Sequence, residues 1–107
     1  MLYDPKWEVP AEAKPLERWQ VILLEAAAII EQKGHCKGAL STKDGFCLLG
    51  AIGMADCGNP RNPNSLQGHR AVSALVAQIG SAVGCWNDTH SAAHAIAVLR
   101  RAALRGD

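Results

Sequence analysis

Apolar residues return at helical spacing in three stretches of this chain, and no stretch of strand length alternates with period two. That pattern confines the fold to amphipathic helices packed on one another, with room only for short pairing in the connectors. In the first stretch Leu16, Trp19, Leu23, Ala27 and Ile30 form one stripe, widened by Ile22, Ala26 and Ile29. Pro15 suits the opening turn, where its missing N–H is not needed, and Gly34 after Lys33 suits a left-handed C-cap. In the second, Val72, Leu75, Val76, Ile79 and Val83 share a face, with Ser65 as cap and Gly84 as stop. In the third, Ala92, Ile96, Leu99 and Ala103 point inward beside Ala95, Val98 and Ala102, with Thr89 or Ser91 as cap. Arg100, Arg101 and Arg105 gather at that helix's C-terminal end, where cations meet the helix dipole favourably.

A shorter helix is expected between the first two, over residues 45–56, with Asp44 as N-cap and Cys47 at its third position. Gly50 and Gly53 fall inside it, and each costs about 1 kcal/mol in helix propensity relative to alanine. A helix carries such residues where another backbone comes close, so both are expected to face a neighbouring helix at short range. The run Cys57–Asn64 holds two Asn-Pro steps and breaks the chain. Trp86-Asn87-Asp88 reads as a loop clamp: the indole fills the space between helix ends, and the two polar side chains satisfy N–H groups of the last helix or the connector. Residues 1–14 have two prolines and no period, an irregular arm whose Tyr3 and Trp7 either lie on the body or meet a partner. The expected architecture is all-α: a compact single domain of about four helices over residues 15–107, preceded by that arm.

The 107 residues balance 11 basic against 10 acidic side chains, for a net charge of +1. Such a balance disfavours a protein that relies on nonspecific phosphate contacts, so nucleic acid is not the expected partner. Glu25 and Glu31 interrupt the longest apolar stretch, which excludes a membrane span, and an acidic, proline-bearing start is not a secretory signal. The cytoplasm is the expected compartment. Cys36, Cys47, Cys57 and Cys85 contain no C-x-x-C pair, so reduced, mostly buried thiols are expected, with neither metal nor cofactor.

Gly45-Phe46-Cys47-Leu48-Leu49-Gly50-Ala51 and Trp86-Asn87-Asp88, followed by a closing amphipathic helix, resemble a family of short uncharacterised proteins of bacteria and their phages. Those proteins share a Cys-Leu-x-Gly-Ala element and a Trp-Asn-Asp element, and the resemblance covers roughly residues 16–104. It implies a small cytoplasmic helical protein, encoded on a phage or other mobile element. Because the family is a domain of unknown function, it implies no catalytic residues.

One set of residues is compatible with chemistry. Cys47 near a helix start is placed for a lowered thiol pKa, with His90 or His94 as base and Asp88 or Asn87 to orient the imidazole. That set would make a cysteine-dependent hydrolase or transferase. The plainer alternative is an inert core thiol among Phe46, Leu48 and Leu49. His90 and His94, four apart, share a helix face and can hold a metal only if Cys36, His35 or Asp88 joins them; no H-E-x-x-H is present. The leading expectation is a non-enzymatic protein that acts by binding another macromolecule, most naturally a protein, with a second copy of the chain as a further candidate. A helix-turn-helix-like nucleic-acid binder is the remaining alternative.

Overall fold

The computed structural model describes residues 16–59, 65–80 and 82–105. Tyr3, Trp7 and Pro15, and with them the expected arm, lie outside the described residues. Among the described residues there are five helices and one small hairpin: α1 (Arg18–Lys33), β1 (Ser41–Thr42), β2 (Gly45–Phe46), α2 (Leu48–Cys57), α3 (Leu66–Ile79), α4 (Val83–Thr89) and α5 (Ala92–Arg105).

The hydrophobic stripe of α1 is the centre of the molecule and packs against α5, α2 and α3. Trp19, Ile22, Leu23, Ala26, Ala27 and Ile30 are buried as the periodicity predicts, whereas Leu16 lies ahead of the helix and is exposed. Leu48, Ile52, Leu75 and Leu99 meet this stripe from the other helices, with Ala95, Ala102 and Ala103 allowing α5 to lie close. The start of α1 and the end of α5 share one buried side chain. Gln20 accepts from the Glu17 N–H (2.7 Å) and donates to the Ala103 carbonyl (2.8 Å), so it satisfies an orphan group at each terminus.

Five helices rather than about four follow from what happens after Ile79. Gly80 turns left-handed (φ 76°) and ends α3 four residues before the expected stop. Val83, read as the last residue of α3's apolar face, instead begins α4, and Val76 of that face is exposed. Trp86-Asn87-Asp88 is therefore helical, not a loop. The other caps behave locally: Ser65 Oγ accepts from Gly68 N (2.9 Å) to open α3, and Ser91 Oγ accepts from His94 N (3.3 Å) to open α5.

Helix α2 begins later than its sequence suggests. Asp44 sits in the turn of the hairpin, where its N–H donates to Thr42 Oγ1 (3.1 Å), so it caps no helix. Gly45 and Phe46 are spent on pairing: β2 is antiparallel to β1, and Phe46 also makes an isolated bridge to His35, just after α1. Phe46 N donates to Gly34 O and Cys36 N donates to Phe46 O, both at 3.1 Å. Gly34 takes φ 101° but ψ 170°, an extended exit in place of the left-handed cap, because the chain runs straight into this bridge. Gly34 and Gly45 cross backbone on backbone: a Cβ on either would strike the other strand's carbonyl oxygen. Cys47 consequently becomes the N-cap of α2, not its third residue, and its sulfur accepts from Gly50 N (3.3 Å).

Gly50 and Gly53 are both buried. The close approach at Gly50 is made by the Leu40 carbonyl of the connector, however, and not by a neighbouring helix.

Candidate functional site

Asn87 is the polar centre of the molecule, 1% exposed on the inner face of α4. Its Oδ1 accepts from Leu48 N (3.0 Å), the first N–H of α2, and from His35 Nε2 (2.7 Å). Its Nδ2 donates to the Cys36 carbonyl (3.0 Å) and to Asp88 Oδ1 (3.2 Å). The Leu48 donor and the Cys36 acceptor fix which way the amide points, and the His35 contact then requires a proton on Nε2. All four hydrogen-bonding positions of the amide are filled. One side chain thus ties α4 to the start of α2 and to the connector after Gly34.

Asp88 extends the clamp outward. Its Oδ1 accepts from Gly38 N (3.0 Å), pinning the connector from the solvent side. The Gly38 N–H first, and the Asn87 amide second, hold the Asp88 carboxyl below its usual value of 3.8. A depressed folded-state pKa stabilises the fold above the unfolded value, and this contribution disappears as pH falls through the folded one. Asp88→Asn should therefore flatten the acid limb of a melting-temperature profile below about pH 4. An unchanged limb would show that the Gly38 contact carries no stability.

Beside the clamp lies a cleft of about 240 Å³ lined by Gly38, Ala39, Leu40, Cys47, Asn87 and Asp88, among others. Cys47 is buried there, and burial pushes its thiol up; the Gly50 and Leu49 N–H groups offset this only in part, and Cys36 and Asp88 add to the rise. Its sulfur is thus a protonated thiol at neutral pH that serves as a helix cap. Cys36 is buried as well, its Sγ–H donating to Ala39 O (3.3 Å), whereas Cys57 and Cys85 lie on the surface, so only half the cysteines are buried.

His90 and His94 do not line this cleft. The His90 ring stacks on Trp86 with centroids 3.8 Å apart and planes 8° from parallel. Its Nδ1 lies 2.7 Å from Trp86 O and 3.0 Å from Thr89 Oγ1, so the ring closes the end of α4. His94 meets His90 edge-on at 5.8 Å and has Nδ1 3.2 Å from Ser91 Oγ. Trp86 itself is half-buried and packs against the core. Among the described residues, no three His, Cys, Asp or Glu side chains converge as metal ligands would, and no helix is long and apolar enough to cross a membrane.

A family of unknown function, DUF6197, matches residues 15–105, a span that contains the whole clamp and both the Gly45–Ala51 and Trp86–Asp88 elements. The chain belongs to that family. Neither a curated protein nor a solved structure matches it.

In this DUF6197 chain Asn87 and Asp88 act as a clamp, but from a helix in place of the expected loop and with altered connections. Asp88 serves the connector as expected, but Asn87 serves the start of α2 and not that of the last helix. The imidazole joined to the cluster is that of His35, which the sequence offered as a possible metal ligand beside His90 and His94. The available signal was its position directly after Gly34, where a chain leaving a helix must find partners for its backbone.

Proposed function

We propose that the protein is a non-enzymatic interaction module that acts by binding another protein. The observation that carries this reading is the saturation of Asn87. Asn87 spends its four hydrogen bonds inside the fold, on the Leu48 and Cys36 backbone and the His35 and Asp88 side chains, and the thiol beside it is held protonated by burial. A Cys-His reaction needs a thiol of lowered pKa with its base in reach, whereas burial raises the Cys47 thiol and neither His90 nor His94 lines its cleft. A near-neutral net charge supports a protein partner over nucleic acid. The surface supports it too: Leu104 of α5 is 66% exposed and Leu16 47% exposed. Both belong to one end of the molecule, because Ala103, next to Leu104, bonds Gln20 one turn beyond Leu16.

Two measurements test the reading together. Wild-type protein and Cys47→Ala should retain the same partner from host extract, and Leu104→Glu, a surface change that leaves the fold intact, should lose it. Iodoacetamide should modify Cys57 and Cys85 in the folded protein at neutral pH and reach Cys47 only on unfolding. Rapid modification of native Cys47, or a partner retained by Leu104→Glu but lost by Cys47→Ala, would move the function back to the thiol.

A further inference from the structure

The start of α1, the end of α2, the start of α3 and the end of α5 meet at one end of the molecule. Arg18 Nη2 donates to the Ala55 carbonyl near the end of α2 (3.1 Å), and Gln20 Nε2 donates to the Ala103 carbonyl near the end of α5 (2.8 Å). Ser65, the N-cap of α3, donates its N–H to Asp56 of α2 (3.1 Å), and Arg70, a turn further on, lies 3.6 Å from Glu17. Among the described residues the exposed large apolar side chains are Leu16, Leu66, Val76 and Leu104, and all but Val76 belong to this end. Leu66 is the most exposed, at 72%, and lines a groove of about 460 Å³ with Trp19 and Arg70, among others. Exposed leucines scattered singly need no explanation. Three at the meeting point of four helix ends mark a contact surface.

The charges around these leucines point to the occupant. Among the described residues of this end, Glu17, Glu25 and Asp56 stand against Arg18, Arg70 and Arg101. A partner of one sign, such as a strongly acidic segment, would meet as much repulsion there as attraction. A surface that carries both signs in equal measure is complementary to itself: across a twofold axis, residue i of one copy meets residue j of the other, and j meets i. Glu17 and Arg70 supply such a pair. Both are about half exposed, and their 3.6 Å contact within one copy is long for a charge-assisted hydrogen bond, so exchanging it across an axis gives up little. A net charge of +1 sets almost no repulsion between copies. The groove beside Leu66 offers a recess for an apolar side chain of the opposing copy.

We propose that two copies of this chain pair through this end as a twofold dimer, with Leu16, Leu66 and Leu104 in the contact and Glu17 of each copy facing Arg70 of the other. The inference rests on the partner-binding reading and names the partner: the protein that Leu104 retains from host extract is the chain itself.

The test is sedimentation equilibrium on the full-length chain across the micromolar to millimolar range. Wild type should rise from 11.4 kDa toward twice that mass as concentration increases. Leu104→Glu and Leu66→Glu, both changes of exposed side chains, should each weaken association about tenfold or more while circular dichroism stays that of the wild type. Glu17→Arg and Arg70→Glu should each be monomeric alone, because each gathers like charges at the axis. Mixed, the two should form a dimer, since each supplies the sign the other lacks; restoring the pair within one copy cannot give that result. A wild-type chain still monomeric at millimolar concentration overturns the proposal, and so does a dimer that Leu104→Glu leaves intact, or folded charge variants that do not pair on mixing. A monomer that still needs Leu104 to retain a host protein overturns it but leaves the partner-binding reading standing, whereas a monomer that retains nothing through Leu104 ends both. If a leucine variant unfolds, the mixed charge variants decide.

Discussion

Asn87→Ala is expected to lower the free energy of unfolding by roughly 3–5 kcal/mol, since each buried group left unsatisfied costs about 1–3 kcal/mol. Alanine removes the acceptor of Leu48 N and the donor to Cys36 O, and nothing else described reaches either group. His35 loses its partner in the same step. The cost is larger than for a surface asparagine because the site is closed to water: Asn87 is 1% exposed. Urea unfolding of wild type and variant reads the difference directly. Asn87→Asp refines it, keeping the acceptor for Leu48 and His35 but setting a carboxylate oxygen against the Cys36 carbonyl. It should fall between wild type and alanine. A loss below about 1 kcal/mol for the alanine variant would mean that the clamp is replaceable by water, and with it the case against an open polar site. Alkylation of Cys47 in the same variant supplies a second reading, because loosening the start of α2 should admit reagent to the thiol.

How far this clamp was legible in sequence differs from residue to residue. The stripes of α1 and α5 were readable because each is long enough for periodicity to dominate; Trp19, Leu23, Ala27, Ile30, Leu99 and Ala103 are all buried. The polar pair Asn87-Asp88 was legible as a clamp because the two residues follow a tryptophan just ahead of a helix. Its geometry was not, because the partners are backbone groups far off in the chain: Cys36 O is 51 residues away and Leu48 N is 39. Backbone atoms have no letter in a sequence. The same reason hid α4, a seven-residue helix too short for a period and held by contacts to α2 and α3. The start of α2 was misread because Asp44 is a good cap by residue type, while the bridge between Phe46 and His35 claims the two residues after it. Tertiary pairing overrode a local preference worth only about 1 kcal/mol.

Gly50→Ala separates local preference from packing by sign. Alanine is favoured over glycine inside a helix by about 1 kcal/mol, so propensity alone makes this variant more stable. Packing makes it less stable: the new Cβ would fall onto the Leu40 carbonyl oxygen, with the carbonyl carbon 2.8 Å away. Both colliding groups are backbone or fixed to it, so no rotamer change relieves the contact. Moving Leu40 aside would break the bond by which Leu40 O accepts from Cys47 N (3.1 Å), and that bond places the N-cap of α2 beside the clamp. The expected result is a net loss of about 3 kcal/mol, the upper end of the usual overpacking cost. Gly84→Ala is the matched control. A Cβ there meets nothing within 4 Å on a helix of the same site, so it should gain up to about 1 kcal/mol. Opposite signs in thermal melts of the two variants would show that glycine is held at position 50 by the approach of the connector. A Gly50→Ala protein as stable as wild type would mean that the connector gives way freely, and that the wall of the Cys47 cleft is soft.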